Sequence, residues 1–170
     1  MNVAQTMVAL ARRRQYAVAV VLLAPMSAPA YAPRPHLQPE APPADLPIRW
    51  PVVGAVSSPF GHRRVPIPGA STEHAGVDIA ANDGAPVQAT ADGHVSSVRV
   101  RSGYGLTIVL EHGDGLQTVY AHLSAAYVRR LEQVVQGEII GAVGRSGLTT
   151  GAHLHYELRR NGGAVDPGLG

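Results

Sequence analysis

The 170-residue chain is 45% hydrophobic with eight aromatic residues (Trp50, Phe60 and six Tyr), enough for one modest domain and not for a second full core. Its 14 basic residues are all Arg against 12 acids, but Arg12, Arg13 and Arg14 lie within residues 1–30, so residues 31–170 carry 11 Arg against 12 acids, a net of −1 that gives no argument for nucleic acid. The absence of Cys and Lys excludes disulfides, thiolate chemistry, Schiff bases, P-loop lysines and lipoyl attachment, and any metal must rest on His, Asp or Glu.

Residues 1–30 read as a secretory signal: a basic stretch ending at Arg14, an apolar stretch of residues 16–24, and a small-residue exit with cleavage expected after Ala30. The apolar stretch of nine residues is far shorter than a bilayer span, so no stable membrane anchor is expected, and the product is exported to the periplasm or the cell exterior. Residues 31–51 form a Pro-rich linker. Nine of the 14 prolines fall at positions 25–51, whereas all 19 glycines come at Gly54 or later.

Residues 52–170 form one domain of short, β-branched runs separated by glycine turns. Strands are expected over residues 86–90, 94–100, 106–111, 116–122, 138–143 and 153–159, joined by turns such as Gly103-Tyr104-Gly105 and Gly144-Arg145-Ser146-Gly147. This predicts a mainly β, single compact domain of antiparallel sheets. One helix is expected, over residues 124–133, with Ser124 as its N-cap.

Seven of the eight histidines lie in this domain. His153 and His155 are two apart in a strand, so they share one face while Leu154 takes the other. By the same alternation Thr118, Tyr120 and His122 are expected on one face. His74 and Asp78 lie four apart. A His-x-x-x-Asp with a distant His-x-His, in an exported chain without Cys, fits the imidazole and carboxylate ligands that zinc accepts. His36, His62, His94 and His112 are read as solvated or structural, and Arg63 and Arg64 as solvated loop residues or partners for a substrate carboxylate.

Four segments together resemble the M23 (LytM/lysostaphin-type) zinc metallopeptidases: Ser57-Ser58-Pro59-Phe60-Gly61-His62-Arg63, His74-Ala75-Gly76-Val77-Asp78, Tyr120-Ala121-His122-Leu123 and Gly151-Ala152-His153-Leu154-His155-Tyr156-Glu157. Ala152 stands where a proline is frequent in that family. The resemblance implies a groove-lined active site on an antiparallel sheet, and hydrolysis of peptide bonds in peptidoglycan. It also implies one zinc per domain on His74, Asp78 and His155, with His122 and His153 as the catalytic pair, in a protein expected to be a monomer. The competing reading is a non-catalytic wall-binding module that activates another hydrolase. A lipoyl carrier is excluded by the missing Lys.

Overall fold

The computed structural model describes residues 50–63, 68–69 and 71–168. The expected signal, nearly all of the linker, His36 and Arg64 lie outside these residues.

Among the described residues the domain is built from strands, paired antiparallel throughout, as the alternation predicted. A short hairpin, β2 (Gly61–His62) with β3 (Glu73–His74), stands apart from the main sheet. In that sheet β1 (Ala55–Ser58) pairs with β4 (Val77–Ala80), and β5 (Pro86–Gln88) lies off the main path. β6 (Gly93–Arg101), β7 (Gly105–Gly113) and β8 (Leu116–Ala126) form a long meander, followed by β9 (Gln133–Val134) and β10 (Ile139–Val143). β11 (His153–Arg160) closes it, with β12 (Gly163–Val165) at its end. The order across the sheet is β1-β4-β11-β8-β7-β6-β9, so β4 and β8 flank β11.

The core lies on one face of these strands. Ile108 and Leu110 of β7, Tyr120 and Leu123 of β8, and Leu154 and Tyr156 of β11 are fully buried there. Tyr120 and Tyr156 face each other across the β8–β11 ladder with ring centroids 5.4 Å apart. Their hydroxyls both reach Thr90 Oγ1, at 3.0 and 3.1 Å, so neither is buried unpaired. His112 extends this network: it lies 2.7 Å from the Asp92 carbonyl through Nδ1 and 2.7 Å from Thr118 Oγ1 through Nε2, the structural role expected of it.

The expected helix over residues 124–133 is absent. Ser124, Ala125 and Ala126 continue β8, and Ala125 and Ala126 pair with Ala142 and Gly141 of β10. The Ser124 hydroxyl donates to the Val143 carbonyl at 2.7 Å instead of capping a helix. Val128 and Val134 are buried in the core, so tertiary burial overrides a local helical preference that is weak over ten residues.

β8 changes partner along its length. Leu116 to Ala121 pair with β11, and Leu123 to Ala126 pair with β10. At the corner sits His122, in the left-handed region at φ 60°. Between Leu106 and Ile108 the β7–β8 register slips, because three steps on β8, from Tyr120 to Leu123, face two on β7.

Candidate active site

β4 and β11 bring the expected metal ligands together. Asp78 is directly opposite His155 in the β4–β11 ladder, and in an antiparallel pair facing residues share a side of the sheet. His74 reaches the same point from β3. The chain between them must pass close to β11, and Gly76 allows it: a Cβ there would lie 2.2 Å from the Tyr156 carbonyl oxygen.

The donor atoms form a tight triangle. His74 Nε2 is 3.1 Å from Asp78 Oδ1 and 3.1 Å from His155 Nδ1, and His155 Nδ1 is 2.8 Å from Asp78 Oδ1. All three residues are buried. The outer atoms decide what the inner ones offer. His74 Nδ1 is 2.7 Å from the Pro59 carbonyl, which can only accept, so its proton lies on Nδ1 and the Nε2 lone pair points inward. His155 Nε2 donates to Glu157 Oε1 at 3.0 Å and turns Nδ1 inward in the same way. Three lone pairs thus converge on one point, which calls for a cation or a shared proton. Zinc with bonds of about 2.0–2.1 Å at tetrahedral angles sets neighbouring donors about 3.3 Å apart, so the observed edges of 3.1, 3.1 and 2.8 Å fall within about half an ångström of it.

The charge balance agrees. Burial opposes ionisation of Asp78, but its close pairing with His155 and His74 prevails and holds the carboxyl well below the usual carboxylate range. Burial likewise opposes charge on His155, yet bonds to Asp78 and Glu157 raise its pKa. Arg63 Nη2 donates to Asp78 Oδ2 at 3.1 Å, which leaves Oδ1 as the oxygen within the triangle. Arg63 is therefore part of the site wall, engaged with the candidate ligand rather than solvated in a loop.

The two remaining histidines flank this triangle. His153 shares the face of His155, with Leu154 in the core as alternation predicted, and its Nε2 lies 3.6 Å from Asp78 Oδ1. His122 does not share a face with Thr118 and Tyr120 as expected. The slip at its left-handed backbone turns the ring out of the core, to 4.7 Å from the His153 ring and 5.9 Å from that of His155. His122 Nδ1 is 2.8 Å from the Ser146 carbonyl, and His153 Nδ1 is 3.0 Å from that of Gly151. Both rings thus place their second nitrogen, Nε2, free of a carbonyl partner. Burial pulls the His122 pKa down to about 4, so the ring is neutral at pH 7.

The cleft over these groups has a volume of about 470 Å³, with Arg63, Tyr104, Leu148 and Thr149 among its walls. Two supports were not predicted. Glu157, fully buried, accepts from His155 Nε2, from the Tyr104 hydroxyl at 2.7 Å and from Arg159 Nε at 2.6 Å, and its pKa falls to about 2 because these bonds outweigh its burial. Its place two residues after His155 in a strand was the signal that could have found it. Tyr104 stands edge-on to His155 at 5.4 Å, and nothing local in Gly103-Tyr104-Gly105 distinguishes it from a turn residue.

Comparison with known proteins agrees with this geometry. The chain is 46% identical over 112 residues to the DD-carboxypeptidase/endopeptidase Mpg of Neisseria meningitidis serogroup B, a match covering 66% of this chain and 26% of that protein. It is 35% identical over 120 residues to the murein hydrolase activator NlpD of Escherichia coli, covering 70% of this chain and 30% of that one. The match thus spans between about a quarter and a third of these curated relatives. Among solved structures, the catalytic domain of lysostaphin from Staphylococcus simulans superposes with a TM-score of 0.61 at 32% identity, covering 67% of this chain and 89% of that domain. A zinc-containing peptidase from Vibrio cholerae gives 0.65 at 36% identity, covering 69% of this chain and 38% of its own. Residues 72–167 match the model for peptidase family M23, and the chain belongs to that family.

Proposed function

We propose that the protein is an exported, monomeric zinc endopeptidase that hydrolyses peptide bonds in peptidoglycan. The observation that carries this reading is the convergence of three inward lone pairs, on His74, Asp78 and His155, beside two histidines whose Nδ1 atoms lie against backbone carbonyls so that Nε2 faces the cleft. Relatives named as peptidoglycan DD-endopeptidases, such as ShyA of Vibrio cholerae at 38% identity, support the substrate class. The order of basic, apolar and small residues in positions 1–30 supports export.

His74 Nε2, Asp78 Oδ1 and His155 Nδ1 would hold the metal. Zinc, when bound, supplies a Lewis acid for the scissile carbonyl and acidifies a water to near neutrality. The protein's own groups move the protons. His153, whose Nε2 lies 3.6 Å from Asp78 Oδ1 at the edge of the donor triangle, accepts the proton of the attacking water and returns it to the leaving amine. His122, kept neutral by burial, accepts a hydrogen bond from the water at Nε2 and orients it.

The test is hydrolysis of purified muropeptides by the full chain, with zinc, with a chelator, and with zinc restored. New amine termini that vanish with the chelator and return with zinc support the reading, and product masses identify the bond. Binding to cell walls with no new termini at any zinc concentration refutes it and favours the activator reading suggested by the likeness to NlpD.

A further inference from the structure

One loop, residues 144–151, supplies both carbonyls that hold the flanking histidines. Ser146 accepts from His122 Nδ1 at 2.8 Å and Gly151 accepts from His153 Nδ1 at 3.0 Å. The loop is itself pinned where the β7–β8 ladder slips. There Leu106 faces Leu123, and the Ser146 hydroxyl bridges them, accepting from the Leu106 N–H at 2.8 Å and donating to the Leu123 carbonyl at 2.7 Å. One hydroxyl thus provides a donor and an acceptor for the two strands at the slip, and places its own carbonyl under His122. The fit is close. Gly105 is left-handed at φ 65°, and a Cβ there would lie 2.3 Å from Ser146 Oγ, so the contact requires glycine. Further along, Leu148 N–H donates to the Gly103 carbonyl at 2.8 Å, and Thr149 Oγ1 donates at 2.7 Å to the same Gly151 oxygen that holds His153.

We propose that Ser146 is a positioning residue: its hydroxyl fixes the loop against the strand slip so that His122 is held as the Nδ1–H tautomer with Nε2 toward the cleft, while Thr149 does the same for His153 through Gly151. The consequence for turnover rests on the hydrolase reading above, whereas the consequence for the tautomer does not.

The experiment uses the full, zinc-loaded chain with Ser146→Ala and Ser146→Thr. It reads zinc content, kcat and KM on muropeptides, and the His122 tautomer by imidazole nitrogen NMR. Ser146→Ala should keep its zinc and a KM within about threefold of wild type but lose about a hundredfold in kcat, the usual consequence of a displaced reacting group. Its His122 signals should change from one tautomer to a mixture. Ser146→Thr, which retains the hydroxyl, should restore both. A single unchanged tautomer in Ser146→Ala overturns the proposal, even if turnover falls. Should Ser146→Ala fail to fold, Thr149→Val decides: His153 should become a tautomer mixture while His122 does not, and an unchanged His153 overturns the proposal. If wild type itself hydrolyses nothing, the hydrolase reading fails alone and the NMR result still decides the positioning role.

Discussion

His122 makes stability depend on pH in a way that can be worked out from its environment. The residue is 7% exposed, and burial, reinforced by nearby His153 and His155, lowers its pKa from 6.5 to about 4 although the bond to the Ser146 carbonyl pulls the other way. Below pH 6.5 the unfolded chain takes up a proton at this position, while the folded chain refuses it until about pH 4. Stability linked to His122 is therefore intact above the unfolded pKa and is lost progressively as the pH falls toward the folded one. At about 1.4 kcal/mol per pH unit, the loss reaches about 2 kcal/mol by pH 5. Asn tolerates a left-handed backbone and does not titrate, so His122→Asn removes the linkage without adding strain. Relative to wild type, the variant should gain about 2 kcal/mol between pH 8 and pH 5. The assay is urea unfolding followed by circular dichroism, with both proteins held metal-free by a chelator so that loss of metal does not enter the comparison. A stability difference that stays constant within about 0.5 kcal/mol between the two pH values would refute the reasoning.

Three further outcomes test the site. Asp78→Ala removes the one anion of the donor triangle and should abolish stoichiometric zinc, measured by elemental analysis after dialysis against a weak chelator; a full complement of zinc would show that the ligand set is wrong. Glu157→Gln takes the charge from the partner of His155 Nε2 and should weaken zinc binding by about 10- to 100-fold in competition with a chromogenic chelator, and an unchanged affinity would remove Glu157 from the support of His155. His153→Ala should keep zinc and fold yet lose about 10²- to 10⁴-fold in turnover, whereas a metal-free His153→Ala would make His153 a ligand.

Much of this was legible from local pattern. Period-two alternation placed His153 and His155 together with Leu154 behind them, because a strand has no other way to arrange three consecutive side chains. The glycine-punctuated runs became β6, β7, β8, β10 and β11 within a few residues of the expected bounds, since turn chemistry and β-branched content act over the same short range as the strands themselves. What was not legible depends on distant contacts. Residues 124–133 have helical composition, but Ser124 meets Val143 and Ala125 meets Ala142, partners from another strand. Arg63 and Tyr104 acquire their roles only when Asp78 and Glu157 arrive from elsewhere in the chain.

The face of His122 is the instructive case. Had β8 run on regularly, His122 would share the side of Tyr120, which lies fully buried against Tyr156, and an imidazole would occupy apolar core. The extra residue at the slip breaks that alternation at one point, so a single strand contributes Tyr120 to the core and, two positions later, an imidazole to the cleft. A left-handed, non-glycine residue costs about 1–2 kcal/mol, and the local structure offsets it with specific bonds: His122 N–H donates to the Tyr104 carbonyl at 2.9 Å, and the ring donates to Ser146. The same corner is where β8 gives up β11 for β10, so the irregularity that closes the sheet is also the one that aims the side chain. Repairing the register by sequence change would therefore remove His122 from the cleft even with every candidate metal ligand left in place.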